Sequence, residues 1–154
     1  MFQLEAPRRL FHIAAVLSIV WLTPVKADLN SAAIAIQPPD QIKWTTNNNA
    51  GNANAILAGD PTKPGIYVEL TKWFPHHMSR PHSHPHDRYI YVISGTWWVG
   101  TGSKYDPDST VPVHAGSYVT HFAGQLHYDG AKDEEVVLEI VGEGPATSTA
   151  AAAK

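Results

Sequence analysis

Short runs of β-branched and aromatic residues recur through the middle of the chain, each closed by glycine, proline or a polar cluster. Ile66 to Phe74 reads IYVELTKWF, Arg88 to Ile93 reads RYIYVI, and Glu135 to Val141 reads EVVLEIV. Thr96–Val99, Val111–Val113 and Ser117–Phe122 are shorter runs of the same kind. Each predicts a strand. Ser94-Gly95 predicts a turn that pairs Arg88–Ile93 with Thr96–Val99 as a hairpin. Asp60–Gly65, Gly100–Thr110 and Asp129–Glu134 predict turns or polar loops. No long segment carries the 3.6-residue period of an amphipathic helix. The pattern is all-β, a sandwich or a barrel.

The flanks differ from this body. Residues 28–65 read as an N-terminal arm and loop, ending its first part in Pro38-Pro39. Trp44 is placed to anchor the arm, and Thr45–Gly59 reads as an irregular loop or a short capped helix. Residues 66–141 form the expected barrel, and 142–154 a flexible tail of Gly, Pro, Ala, Ser and Thr. Residues 1–27 read as an export signal. Arg8 and Arg9 precede an apolar stretch, Leu10–Leu22, too short to span a bilayer comfortably, and Val25-Lys26-Ala27 offers cleavage before Asp28. The expected location is periplasmic or secreted, free of the membrane once cleaved. A retained anchor is the other reading, and Arg8-Arg9-Leu10-Phe11 leaves a twin-arginine route open beside the general one.

Composition narrows the classes further. A chain of 154 residues, 44% hydrophobic, suits one domain with one core. Twelve prolines and 11 glycines fit many turns. The net charge is -3 with no basic run, so no nucleic-acid partner is expected. There is no cysteine, which removes disulfides, thiolate ligands and cysteine nucleophiles.

The chemistry concentrates in Pro81–Gly95, PHSHPHDRYIYVISG. His82, His84 and His86 occupy alternate positions, and alternate side chains of an extended chain share a face. His127 follows a strand and a glycine turn. Imidazole suits Fe, Zn, Cu and Ni, and three neutral rings leave room for a substrate on the ion. His82, His84 and His127 are therefore the candidate metal ligands, with a barrel that has lost its metal as the bland alternative. His86 is a fourth ligand or an ordinary loop histidine. His121 lines the pocket as a candidate catalytic residue, or packs behind it. His76, His77 and His114 read as surface residues, and Trp73, Tyr91, Trp97 and Trp98 as core or interface.

These segments resemble the two motifs of the cupin superfamily. His82-Ser83-His84 and Gly95 match the first motif; Gly116, Gly124 and His127 match the second. The resemblance covers roughly Ile66 to Val141 and implies a double-stranded β-helix, or jelly-roll, barrel. The chain departs from the pattern at four places. Arg88 stands where the glutamate ligand is usual, His76 replaces the opening glycine, Phe122 the motif proline and Ala131 the terminal asparagine. A guanidinium cannot ligate a cation. Arg88 is then a candidate catalytic residue holding an anionic substrate, or it pairs with Asp87 or Glu69. Asp87 or His86 shifting into the vacant ligand place is a third option.

The resemblance implies one divalent transition metal, iron first, with Zn, Mn, Ni or Cu as alternatives. It implies a dioxygenase-type metalloenzyme acting on a small, anionic organic substrate. A metal-dependent lyase, decarboxylase or isomerase is the nearest rival, and a non-catalytic small-molecule or metal sensor stands in a different class. A homodimer is the expected assembly if the barrel pairs at all.

Overall fold

Val136, Leu138 and Ile140 are buried along one nine-residue strand, while Val137 and Glu139 between them, and Val141 after them, are only partly so. This period of two fixes which face of the strand meets the core. The computed structural model describes residues 28–152. The proposed signal, 1–27, lies outside the described residues.

Residues 28–36 hold a turn in which the Ala33 and Ile34 N–H groups donate to the Asn30 carbonyl. From Gln37 onward strands are the main regular structure among the described residues. In order these are β1 (Thr45–Asn47), β2 (Asn52–Ala58), β3 (Gly65–Trp73), β4 (His77–Met78), β5 (His82–Ser83) and β6 (Arg88–Ser94). They continue as β7 (Thr96–Thr101), β8 (Val111–His114), β9 (Tyr118–His121), β10 (His127–Ala131), β11 (Val136–Gly144) and β12 (Thr149–Ala150). Short 3-10 turns at Pro39–Gln41 and Pro107–Ser109 are the helical elements among the described residues.

The strands make two antiparallel sheets, β1-β2-β3-β11-β6-β9 and β12-β5-β10-β7-β8, with β4 also on β10. Tyr67, Trp73, Ile90, Val92, Trp97, Ala131, Val136, Leu138 and Ile140 form the core. The all-β jelly-roll expectation holds.

Four local expectations are corrected. Ser94-Gly95 does not close a hairpin: β6 pairs with β9 and β11, whereas β7 pairs with β8 and β10. Gly95 has φ 77, and a Cβ there would collide with the Glu135 carbonyl oxygen. The residue is thus a corner at which the chain leaves one sheet for the other, a bend that only glycine makes without strain. Thr45–Gly59 holds β1 and β2 instead of a loop or helix. Ala53 and Ala55 are buried, and Asn52 and Asn54 lie opposite Trp73 and Thr71. Asp129-Gly130 lies within β10, not in a hairpin loop, because that strand is paired on both sides. The segment read as a flexible tail carries the end of β11 and all of β12.

Candidate metal centre

One row of residues crosses the first sheet beside the histidines. Tyr67 lies opposite Gly142, Gly142 opposite Arg88, and Arg88 opposite His121. Cross-strand partners share a face. Gly142 has no side chain to obstruct the row, and a Cβ there would meet the Tyr67 hydroxyl at 2.6 Å. In the facing sheet His82 lies opposite His127 and Ala150. Asp129 shares the His127 face, two residues on.

The three candidate ligands are held in the same way. The Nδ1–H of His82 donates to the Arg80 carbonyl at 2.8 Å, that of His84 to Thr147 at 2.9 Å, and that of His127 to Gln125 at 3.0 Å. A carbonyl only accepts, so each ring carries its proton on Nδ1 and leaves Nε2 as a bare lone pair. A backbone acceptor behind the ring is how metal-binding histidines are usually fixed. The His82 and His84 Nε2 atoms are 3.1 Å apart, and potential donor atoms of all three rings lie within 4.8 Å of one another. Two imidazole nitrogens bound at about 2.0–2.1 Å to one ion sit about 2.9–3.4 Å apart, from right-angled to tetrahedral geometry. The buried Nε2 of His127 has no hydrogen-bond partner. The residues therefore fit a cation. The tail supplies the acceptor for His84 through Thr147, and Ala151 N–H donates to the Pro81 carbonyl beside the histidines.

Electrostatics keep His84, His121 and His127 neutral. His84 is pushed down to about 3, first by burial and then by the Arg88 guanidinium. His121 is pushed down to about 2 by burial and then by His127. Burial also lowers His127, against an opposing pull from Asp129. Such rings need lose no proton to accept a metal at neutral pH.

Arg88 makes two contacts. Its Nη2 pairs with Glu69 at 3.2 Å, and its Nη1 donates to His84 Nε2 at 2.7 Å. It is therefore both ion-paired and turned toward the histidines. Burial outweighs this pairing at Glu69, whose carboxyl titrates above its usual range. Asp87 is not a ligand candidate in this arrangement, since its Oδ1 accepts from the Ala123 N–H at 2.7 Å. His86 is exposed and outside the cluster. His76, His77 and His114 are surface residues as expected, with His76 and His77 on the cavity rim.

His121 is buried at 7% exposure, with ring centroids 3.8 Å from His127 and 5.3 Å from Trp97. Beside it, Asp129 accepts from the Trp97 indole N–H at 3.2 Å. Sequence patterns name Glu69 only as a possible partner of Arg88, which it is, and do not single out Asp129. The glycine after Asp129 signals a turn and hides it, although its place two residues after His127 is a usable clue. A cavity of about 880 Å³ reaches Arg88, His84, His121, Glu69 and Asp129.

No protein-family model and no curated protein matches the sequence. Solved structures do. The polyketide cyclase RemF from Streptomyces resistomycificus aligns with a TM-score of 0.64 at 16% identity, over 79% of this chain and 87% of that one. KdgF from Halomonas sp. aligns at 0.56 and 17% identity, over 71% and 94%. A cupin-2 domain protein, Rru_A2000 from Rhodospirillum rubrum, aligns at 0.57 and 13%, over 76% and 79%. The chain has the cupin fold. The three histidines that the motif resemblance names as expected ligands, His82, His84 and His127, come together in this fold.

Proposed function

We propose that this cupin is a metalloenzyme of dioxygenase type. It takes one divalent transition ion, iron first, among the histidines around His127 and acts on a small organic anion. The observation that carries this reading is the set of three Nδ1-anchored rings whose Nε2 atoms converge beside an open cavity. A bound ion would polarise a substrate oxygen and, if redox-active, support oxygen chemistry.

The chain's own residues do the rest. Arg88 is the cation nearest the rings, and its buried Nε has no partner. The guanidinium therefore has a donor to spare for a carboxylate or enolate. Glu69 holds it on the wall. Trp97, Ile90, Leu138 and Ile140 give the cavity an apolar floor that limits water.

The test is oxygen uptake by metal-restored protein against small thiols, diketones and phenolic acids. Uptake that disappears in His127→Gln, and an Arg88→Gln variant with a raised KM for anionic substrates, support the reading. Substrate conversion without oxygen uptake would instead favour a Lewis-acid lyase or cyclase, the reading that the polyketide cyclase neighbour favours. Export is part of the proposal: N-terminal sequencing of the periplasmic or secreted protein should begin at Asp28.

A further inference from the structure

We propose that a second cation position lies deeper in the same barrel, formed by His121, His127 and Asp129, and that a resting ion takes it while Arg88 remains on His84. The inference rests on the barrel's being metal-binding and adds where the ion sits before substrate arrives.

The donor atoms of these three residues lie within 4.8 Å of one another, and all three residues are buried. His121 is the clearest sign. Both its ring nitrogens are buried, and neither has a hydrogen-bond partner among the described residues. An imidazole always offers at least one N–H, and when neutral one lone pair as well, and burying both without partners is costly. A ligand on one nitrogen accounts for a histidine kept at this place. His127 contributes the same unpartnered Nε2 to either position, so one ion at a time is served. Asp129 is fixed from two sides, since Trp97 donates to its Oδ1 and its own N–H donates to Ser79 Oγ at 2.9 Å. Both His121 and Asp129 line the cavity, which gives an ion and a substrate access.

Charge separates the two positions. The outer trio is three imidazoles with no carboxylate among them, and the Nε2 of His84 already accepts from the cationic Arg88 at 2.7 Å. A divalent ion there would displace that bond and face a guanidinium. The inner trio contains a carboxylate. Two histidines and one carboxylate with open positions is a donor set suited to ferrous iron and related divalent ions. An anionic substrate that drew Arg88 off His84 would restore the outer donor.

The test uses Co²⁺ as probe on metal-free full-length protein, read by calorimetry and visible absorption without substrate. Wild type should bind one ion. His121→Gln and Asp129→Asn should each weaken binding by at least about tenfold, the scale on which even indirect partners of a site matter, whereas His84→Gln should change it little. The amide oxygen in Asp129→Asn can still accept from Trp97; should that variant fail to fold, Asp129→Glu keeps the charge and should shift the Co²⁺ absorption. Weakening in His84→Gln of tenfold or more, or unchanged binding and absorption in the Asp129 and His121 variants, would overturn the inner position alone. No Co²⁺ bound by wild type would remove the metalloenzyme reading with it.

Discussion

Arg88 Nη1 stands 2.7 Å from His84 Nε2, while Nη2 of the same guanidinium stands 3.2 Å from Glu69. A cation thus bridges a largely enclosed carboxylate and one ring of the histidine cluster. The Arg88 and Glu69 side chains are only 15% and 13% exposed, so neither is well solvated alone. Removing one partner leaves the other charge stranded. Arg88→Met should cost about 3 kcal/mol in urea unfolding, the range for breaking a buried pair. Adding Glu69→Gln should recover much of that loss. Equal, additive losses from the two changes would contradict the pairing.

The neutral histidines make stability depend on pH. Folding depresses His84, His121 and His127 below their usual 6.5. Below that value the unfolded chain binds more protons than the folded one, so stability falls as pH drops. Metal-free protein should therefore be most stable above about pH 6.5 and lose stability toward pH 4. His121→Gln should flatten the slope. Urea midpoints at pH 7, 6, 5 and 4 measure it, and an unchanged slope in that variant would show that His121 titrates normally.

The C-terminal strand has a role at the site. Thr147 accepts from His84 Nδ1, and β12 lies against β5. Ending the chain after Ala146 should remove the carbonyl that holds the His84 Nδ1–H and let the ring move. NMR relaxation of the ring carbons would read this directly. A His84 ring as rigid as in the full chain would mean the tail is dispensable.

His76 occupies the position where the motif has glycine, and its φ is 65. A left-handed conformation strains any residue with a Cβ. His76→Gly should stabilise the fold by about 1 kcal/mol, with the backbone N–H at this position still donating to the Lys132 carbonyl. A destabilised variant would show that the imidazole makes contacts worth more than the strain.

The barrel and its histidines are legible in the sequence because both depend on local periods. β-branched alternation announces β3, β6 and β11, and the two-residue spacing of His82 and His84 places both on one face. The second-motif spacing then brings His127 to them. What is illegible depends on long-range pairing. Asn and Ala in β2, and Ala, Ser and Thr around β12, have weak strand preference, and neighbouring strands decide their state. Asp129 followed by glycine reads as a turn until β7 and β4 are found on either side of it. Ser94-Gly95 reads as a hairpin because a sheet-to-sheet corner uses the same residues. For Arg88 the sequence leaves two orientations open, and the side chain adopts both contacts.

His127 belongs to both groups of convergent donors, so it carries the central claim. Calorimetric titration of metal-free wild type and His127→Gln with a divalent transition ion, with circular dichroism confirming the fold, tests that claim most directly. One ion bound per wild-type chain and none by the folded variant is the predicted result. Undiminished binding by His127→Gln would contradict it.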